Sequence, residues 1–499
     1  MDHLTYIPKE AMQTTAFGEL NAESKTPQVQ IKFPYGIVHP DVAEIYTNKS
    51  GSTHSVANGQ CTLTCSATAE SFVQLRTLEA IRYGPGQGAE WLGTAVFSTG
   101  VANSVQLIGA GDSDEGFFFG YNGEDFGICR KSGGSSEIRS LAITGAATGT
   151  GNITITLDGA AILVAVTNLD TIAAITAKIV AQSALFFNAS KGYKVHTDDN
   201  ISVEFLSLRA EPATGTFSFS AGTTGVTAGA FSTSVTGIVP TSTWVLKPDW
   251  NVDPLDGTGP SGSTMTTTFG NVFKIQFQYL GYGAVECYRE TPSTGIFQLV
   301  HRIAYANTAT TPTLTNPTLQ LTAIIYTEAG YTGPSLTLST GSMAGFIQGQ
   351  ETIKGIRRSL DVEKTATSSE AVLLVLHNEV DFNGKINKVS IYPDFTSFAT
   401  DGTKAIKMRL YKNPTTVVAA VALTDVDAGV SVMQYSSTGT TIVGGKRLLT
   451  FIIGAAGGGG RALNDLLVLF PGDRLVLTQE ASGGGAGITS VSYTWLERI

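Results

Sequence analysis

The sequence predicts a mainly β protein with two β-sandwich domains of the jelly-roll or lectin-like type, the first interrupted by a small ββαββ insertion domain. Short runs that alternate apolar and polar residues, separated by turns rich in Gly and Asn, recur along most of the 499 residues. Charged residues make up only 15% of the chain, and it contains 56 glycines. This composition favours strands and tight turns over surface helices.

Two stretches that lie far apart in the sequence have the character of one sandwich. Residues 116–123 form an apolar run that ends in an Asn-Gly turn, and residues 272–279 alternate as a half-buried strand does. A chain of this length is also too long for a single hydrophobic core. We therefore predict a discontinuous first sandwich formed by residues 46–136 and 241–350.

The segment between these halves, residues 137–240, is predicted to be a separate inserted module. It contains a helix for which Asp170 or Thr171 is the expected N-cap. Apolar side chains recur along that helix at spacings of three, four and seven, at Ile172, Ile175, Ile179 and Phe186. Strands are expected at residues 152–157, 161–166, 201–208 and 216–221. Such a ββαββ unit buries the apolar stripe of its helix on a small sheet.

The two ends of the chain have different character. Residues 351–499 show about seven or more short β signals, which predict a second, C-terminal sandwich. Residues 355–369 are predicted to connect the sandwiches. Residues 1–45 are predicted to be an N-terminal arm with an isolated strand at 29–33, which either docks on a neighbour and anchors the protein or frays.

Charge and hydropathy exclude several classes of partner. The net charge is −9, and the basic runs are too short to bind DNA or RNA backbones. No apolar stretch approaches the roughly 20 residues that span a bilayer, and no secretory signal is expected. We therefore expect neither nucleic-acid binding nor membrane insertion. The four cysteines have neither a disulfide-framework nor a zinc-site spacing, which predicts free, buried thiols.

Three segments resemble virion structural proteins of large double-stranded DNA phages and viruses, of the fibre, spike or baseplate-associated kind. They are residues 82–91, 116–128 and 279–302, and the resemblance extends over residues 15–135 and 240–350. Residues 152–159 and the helix after them resemble the accessory domain of contractile-tail sheath proteins. The resemblance implies a virion assembled in the host cytoplasm, contacts with other virion proteins through the arm, and a homo-oligomer, possibly a trimer. The resemblance assigns no catalytic residue to this chain.

Acidic side chains in two loops suggest a calcium site. Asp112, Asp114 and Glu115 precede the apolar run, and a second acidic loop follows it at Asn122, Glu124 and Asp125. Carboxylate and amide oxygens are the ligands that Ca²⁺ prefers, although the spacing fits no defined calcium loop and a solvated acidic loop is the alternative. No other cofactor is expected. The glycine pattern at residues 257–262 lacks the strand and helix of a dinucleotide site.

Aromatic residues in loop-like sequence suggest a sugar-binding surface. Aromatic rings pack on the apolar faces of sugars, and most aromatic residues here are expected in the sandwich cores. Trp244 and Trp250, which flank Pro248, and Tyr83 in a Gly-rich loop are the predicted glycan-binding residues.

No reaction is indicated by a motif. Six scattered histidines form no metalloprotease pattern, and no nucleophile elbow occurs. We therefore expect a protein that is not an enzyme, a tail-associated fibre, spike or baseplate component that binds host-surface glycan. One alternative is a capsid decoration or vertex protein with a purely structural role. A second is a glycan depolymerase, which would need two carboxyl groups about 5–9.5 Å apart.

Overall fold

The computed structural model describes residues 25–49, 51–188, 191–349, 355–414, 416–418, 423–463, 467–483 and 487–498. Strands account for 53% of the structure and helices for 4%. The prediction of a mainly β fold of sandwiches is therefore confirmed.

The first part of the chain forms strands that alternate buried and half-exposed side chains. The strands are β1 Lys25–Lys32, β2 Ala43–Asn48, β3 Thr53–Ala57, β4 Gln60–Cys65, β5 Phe72–Ile81, β6 Ala89–Phe97, β7 Ser104–Gly111, β8 Gly116–Asn122 and β9 Asp125–Ser132. Strands β7, β8 and β9 form two successive antiparallel hairpins. Gly109 and Gly120 lie where a Cβ atom would collide with the backbone of the paired strand, so these strands require glycine for their close approach.

The inserted module follows, with more strands than the sequence predicts. Its elements are β10 Ile138–Gly145, β11 Gly151–Leu157, β12 Ala160–Val166, α1 Ile172–Ala181, α2 Ser183–Phe187, β13 Tyr193–His196, β14 Ser202–Ser207, β15 Ser218–Ser220, β16 Thr227–Ala228 and β17 Ser232–Val235. The predicted helix is present as α1, and Thr171 is its N-cap, accepting a hydrogen bond from the backbone of Ala174. The side chains of Ile175 and Ile179 on this helix are buried. In the described residues one sheet has the order β13-β14-β10-β16, with β17 also on β10, and another has the order β12-β11-β15.

After the module the chain returns to the first sandwich. It adds β18 Thr241–Leu246, β19 Asn271–Phe277, β20 Val285–Glu290, β21 Phe297–Ile303, β22 Leu319–Thr327, β23 Leu336–Thr340 and β24 Ser342–Gln348. The described strands form one sheet of order β21-β20-β19-β6-β23-β4-β3, with β1 and β24 beside it, and a facing sheet of order β18-β9-β8-β7-β22-β5-β2. Strands from both sides of the module therefore share both sheets. Phe119 and Phe273, one from each half, stack 4.5 Å apart in the core.

The strand predicted as isolated near the N-terminus is part of this sandwich. Strand β1 pairs antiparallel with β24, and Val29 and Ile31 are buried in the core. The prediction of an isolated strand is therefore wrong, because its apolar face is buried within the same chain. Residues 1–24 of the predicted arm lie outside the described residues, and anchoring by the arm stays a prediction.

The last part of the chain forms the C-terminal sandwich. Its strands are β25 Ile356–Thr365, β26 Ala371–Asn378, β27 Asp381–Phe382, β28 Lys385–Ile386, β29 Ser390–Thr400, β30 Ile406–Lys412, β31 Thr416–Val418, β32 Thr424–Asp425, β33 Met433–Ser436, β34 Thr441–Val443, β35 Lys446–Ile453, β36 Gly458–Ala462, β37 Arg474–Ala481 and β38 Ile488–Arg498. Two described sheets, ordered β25-β38-β29-β36 and β32-β33-β26-β37-β30-β35, enclose a core around Trp495 and Met408. The predicted linker at 355–369 is wrong, because β25 pairs with β38 along its whole length.

The module packs on the outer face of the first sandwich. Phe187 and Leu208 of the module join Tyr46, Phe72 and Trp244 in a small apolar cluster. All four cysteines are buried and free, as predicted. Among the described residues, no helix has the length and apolar character needed to cross a membrane.

Candidate functional site

A cavity of about 310 Å³ lies where the first sandwich, the inserted module and the C-terminal sandwich meet. We call this place the three-way junction. Its walls carry charged side chains from all three parts, namely Glu44, Arg76, Asp112 and Asp114 of the first sandwich, Lys194 and His196 of the module, and Lys388 and Asp473 of the C-terminal sandwich. Charges that are far apart in the sequence therefore face one another.

Two of the three predicted calcium residues, Asp112 and Asp114, line this junction, and a lysine lies beside them. Lys388 Nζ is 2.7 Å from Asp112 Oδ2. The other oxygen, Oδ1, accepts hydrogen bonds from the backbone N–H groups of Asp114 and Glu115 at 2.9 and 3.0 Å. The Ser136 hydroxyl donates to Asp114 Oδ1 at 3.0 Å. The Asp112 carboxylate is thus already satisfied by protein donors.

Glu115 points away from the junction. Its Oε2 accepts hydrogen bonds from the backbone N–H groups of Thr315 and Asn316 at 2.8 and 2.9 Å. It therefore fixes a loop of the first sandwich and does not share a ligand position with Asp112.

The two acidic loops that the sequence suggested as neighbours are separated. Asp112 and Asp114 precede β8, whereas Glu124 follows it in the β8–β9 turn. An extended strand of this length holds its ends about 20 Å apart. The expectation of one six-oxygen cluster is therefore wrong. Calcium binding stays a prediction, and it would require Lys388 to leave Asp112.

Burial and nearby charges shift the pKa values of Asp112 and Asp114 in opposite directions. Burial raises the pKa of Asp112, but the Lys388 ammonium more than compensates and holds it below the usual range. Burial, and then the negative charge of Asp112, raise the pKa of Asp114. Burial alone would lower the pKa of Lys388, but the negative charges of Asp112 and Asp114 raise it above its ordinary value. The junction therefore holds a charged Lys388–Asp112 pair.

A second charged group joins the module to the first sandwich. Lys194 Nζ lies 2.8 Å from Glu44 Oε1, and Arg76 approaches Glu44 Oε2 at 3.4 Å. The Tyr46 hydroxyl donates to the same carboxylate. Burial alone would raise the pKa of Glu44, but the two cations and these hydrogen bonds lower it to about 2.

The predicted glycan-binding residues do not form one platform. Trp250 is only 4% exposed and packs edge-on against Phe119 in the core, with Nε1 donating to the Val245 carbonyl at 3.2 Å. Trp244 is half-buried in the apolar cluster on the opposite face of the sheet. The expected exposure of Trp250 is wrong, because its ring fills the sandwich. Tyr83 is half-buried against Tyr279.

The structure adds a group that the sequence analysis missed, at the edge of the junction. His196 and Glu204 lie directly opposite each other on β13 and β14, with His196 Nε2 2.9 Å from Glu204 Oε2. Asp198 Oδ1 lies 3.5 Å from that nitrogen and 3.1 Å from Nε2 of His377 in the C-terminal sandwich. These residues could hold a metal ion. The cross-strand pair would have been found if β13 had been predicted.

An acidic cavity of about 420 Å³ adjoins this group, between the module and the C-terminal sandwich. Its walls include Asp198, Glu204, Glu379 and Asp381. Burial, and then the charges of Asp425 and Asp381, raise the pKa of Glu379 to about 8. Burial and the charges of Glu204 and Asp198 raise the pKa of Asp381 to about 6. Because carboxyl groups crowd this side of the site, Glu379 is largely protonated at neutral pH.

No family model matches the chain, and no curated protein matches it. Among solved structures it is similar to an endo-1,3-beta-glucanase from Streptomyces sioyaensis, with 9% identity over 65% of this chain and 97% of that chain and a TM-score of 0.30. It is similar to arcelin-5, a lectin-like defense protein from Phaseolus vulgaris, with 7% identity over 65% and 100% of the two chains and a TM-score of 0.23. A third similar structure, from work on the triple jelly roll fold and turret assembly in an archaeal virus, has 7% identity over 94% and 91% and a TM-score of 0.17.

The viral similarity is to a jelly-roll protein of an archaeal virus, and none of these comparisons supports a tail-fibre or baseplate assignment. At such low identity and TM-score, function has to be argued from the residues of this chain.

The prediction that the protein is not an enzyme is contradicted by the comparisons, because a glycoside hydrolase stands beside a lectin among the similar structures. Missing sequence motifs are a poor reason to exclude hydrolysis of glycans. That reaction depends on two suitably spaced carboxyl groups, which the fold can bring together from any part of the chain.

Proposed function

We propose that the protein is a structural component of a virus particle, in which the three-way junction holds the two sandwiches and the module in one fixed arrangement. The observation that carries this proposal is that ion pairs at the junction connect different parts of the chain. Lys388 of the C-terminal sandwich binds Asp112 of the first sandwich, and Lys194 of the module binds Glu44.

The physical reason lies in the burial of these charges. A buried ion pair adds little net stability, but separating its partners leaves charges without neutralisation in a poorly solvated place. Any rotation of one sandwich relative to the other would separate Lys388 from Asp112. Such pairs therefore favour a single relative orientation, which a building block of a particle needs.

Further contacts support the same fixed arrangement. The buried guanidinium of Arg82 in the first sandwich donates to the carbonyl groups of Lys388 and Arg498, each at 3.3 Å. At the surface, Lys446 Nζ lies 2.5 Å from Asp41 Oδ2. The first and C-terminal sandwiches are thus connected by a buried core of contacts and by a peripheral ion pair.

The test is localisation in purified particles from the source of the sequence, with an antibody against the C-terminal sandwich. We expect immunogold label on intact particles, on the tail for a fibre or baseplate component and on the head for a capsid decoration protein. A Lys388→Met variant should be incorporated less efficiently than wild type, whereas Lys385→Met, at an exposed lysine nearby, should behave normally. Particles that lack the protein would overturn the proposal.

Carbohydrate binding is a second candidate, favoured by an exposed tyrosine patch made of Leu280, Tyr282 and Tyr305. Tyr282 is 37% exposed, and its ring centre lies 6.2 Å from that of Tyr305. The Arg130 guanidinium lies 5.0 Å from the centre of the Tyr305 ring, and Leu280 is exposed. Aromatic faces with a neighbouring polar group suit the mixed surface of a sugar.

A glycan array tests this second candidate. Binding by wild type that is lost in Tyr282→Ala and kept in Tyr35→Ala, at an exposed tyrosine elsewhere, would support it. A blank array for wild type would count against it. Release of reducing ends from bound polysaccharide, measured in parallel, would distinguish a depolymerase from a binding protein.

A further inference from the structure

Three side chains with metal-binding atoms, His196, Asp198 and Glu204, converge where the module meets the C-terminal sandwich, and His377 of that sandwich contacts Asp198. One ligand atom each from His196, Asp198 and Glu204 lies within 4.8 Å of the other two. The closest approaches to His196 Nε2 are 2.9 Å for Glu204 Oε2 and 3.5 Å for Asp198 Oδ1. His377 Nε2, on β26, lies 3.1 Å from Asp198 Oδ1.

The contacts have hydrogen-bond distances but poor hydrogen-bond alignment. His196 Nε2, Asp198 Oδ1 and Glu204 Oε2 are buried, and none of them has a well-aligned hydrogen-bond partner. His377 is 0% exposed, and neither of its ring nitrogens has such a partner. Burying polar atoms without aligned partners is costly. A shared ion bound by the His196 nitrogen and the two carboxylate oxygens would remove that cost.

The spacing of the atoms fits a metal ion. Nitrogen and oxygen ligands lie about 2.0–2.2 Å from a tetrahedral Zn²⁺, which places neighbouring ligand atoms about 3.3 Å apart. The two approaches to His196 Nε2, 2.9 Å from Glu204 and 3.5 Å from Asp198, are close to that separation.

The charge of the surroundings also favours a cation. Asp198 and Glu204 carry negative charge, and Glu379 and Asp381 line the same acidic cavity. Arg474 of the C-terminal sandwich interacts electrostatically with Asp198, and its guanidinium donates to the backbone carbonyl of Thr197. A divalent ion would neutralise the two carboxylates and bind the His196 imidazole.

We propose that His196, Asp198 and Glu204 bind one divalent transition-metal ion and that His377 of the C-terminal sandwich positions Asp198 for it. An imidazole with two carboxylates and an open position matches the ligand preference of Zn²⁺, whereas Ca²⁺ and Mg²⁺ take oxygen ligands. The three ligands come from β13, β14 and the turn between them, and His377 lies on β26. Metal binding therefore depends on the packing of the two parts, and it stabilises that packing.

The alternative is that a protonated His196 alone neutralises the two carboxylates. The two possibilities differ in measurable ways, because a protonated histidine needs no ion and gives no metal stoichiometry. Zn²⁺ bound to the folded protein would also raise the melting temperature by mass action.

The experiment uses the full chain, stripped with a chelator and titrated with Zn²⁺ in a calorimeter. We expect one equivalent of tightly bound Zn²⁺, with binding weakened by more than about 100-fold in Asp198→Asn and by about 10- to 100-fold in His377→Gln, which loses the contact that positions Asp198. His54→Gln removes an exposed histidine and serves as the matched control, for which wild-type affinity is expected. Circular dichroism establishes whether each variant is folded.

A second measurement keeps the proposal testable if a variant fails to fold. Wild type loaded with Co²⁺ should show the visible absorption of a four-coordinate nitrogen and oxygen site, and Zn²⁺ should displace it with the same stoichiometry. Stripped wild type that binds no metal would overturn the proposal. Equal affinity in wild type and folded Asp198→Asn, or an equal loss in His54→Gln, would overturn it as well.

Discussion

Lys388 Nζ lies 2.7 Å from Asp112 Oδ2, so a lysine of the C-terminal sandwich is the counter-ion of an acidic loop in the first sandwich. Both side chains are largely withdrawn from solvent, at 14% and 6% exposure. Because the pair bridges two parts of the molecule, its energy depends on how those parts pack. The strength of this coupling can be measured directly.

Replacing Lys388 by Met should lower the free energy of unfolding by about 3 kcal/mol, because Asp112 would stay buried without its cation. Urea unfolding at neutral pH provides the measurement. Lys385→Met, at an exposed position nearby, should change stability by less than about 0.5 kcal/mol. Adding Asp112→Asn should recover part of the loss, since the uncompensated charge is then removed. Additive losses in the double variant would contradict a direct interaction.

Acid should weaken the contact between the module and the first sandwich through Glu44. Its pKa is lowered from 4.5 to about 2 in the folded protein, where Lys194 and Arg76 outweigh the effect of burial. A lowered pKa stabilises the folded state above the unfolded pKa, and this stability is lost as the pH falls toward 2. Glu44→Gln should therefore be less stable than wild type by about 2–3 kcal/mol at pH 6, and the difference should vanish near pH 2.

Chemical unfolding of both proteins across that pH range provides the check. Glu124→Gln, at an exposed position, should show no such pH-dependent difference from wild type. A difference between Glu44→Gln and wild type that stays constant with pH would show that the side chain contributes through packing alone.

Trp250 should matter for stability and not for sugar binding. Truncation to Ala removes a ring that packs against Phe119 and Phe126 and should cost about 3–5 kcal/mol. Trp250→Phe keeps most of that packing and loses the hydrogen bond to Val245, so about 1 kcal/mol is expected. Thermal unfolding and a glycan array on the same samples separate the two roles. Loss of glycan binding in the folded Trp250→Phe variant would contradict a core role.

Thr171 should stabilise helix α1 through its side chain. Its Oγ1 accepts a hydrogen bond from the Ala174 N–H at 3.3 Å, and Thr171→Ala should cost about 1 kcal/mol. Thr171→Ser keeps the oxygen and should restore most of the stability. Hydrogen exchange of the amides in residues 172–181 is the suitable readout. Equal exchange rates in wild type and Thr171→Ala would rule out a capping contribution.

Local patterns predicted much of the fold. The recurrence of Ile172, Ile175 and Ile179 predicted helix α1, and alternating runs predicted the strands on both sides of the module. Short polar strands escaped prediction, because β13 and β16 have few apolar residues and are held by pairing with β14 and β10. Pairing partners depend on distant segments and leave little trace in a local window.

The candidate site was predicted only in part. The proximity of Asp112, Asp114 and Glu115 in the sequence predicts a cluster of carboxylates, and carboxylate oxygens are the ligands that Ca²⁺ prefers. Lys388 could not be identified as the counter-ion from the sequence, because it lies far from Asp112 in the chain and no local sequence pattern links the two residues. The group of His196, Asp198 and His377 was missed for the same reason.

The sequence by itself determined the β architecture, the capped helix and the interruption of the first sandwich by a module, because alternation, turn residues and caps act over a few neighbouring residues. Only the tertiary structure decided which tryptophan is buried, which lysine neutralises Asp112 and which histidines face Asp198. Burial and ion pairing are properties of atoms brought together from distant segments. Their energies depend on distances of a few ångströms between side chains, and these distances are set by how the two sandwiches and the module pack together.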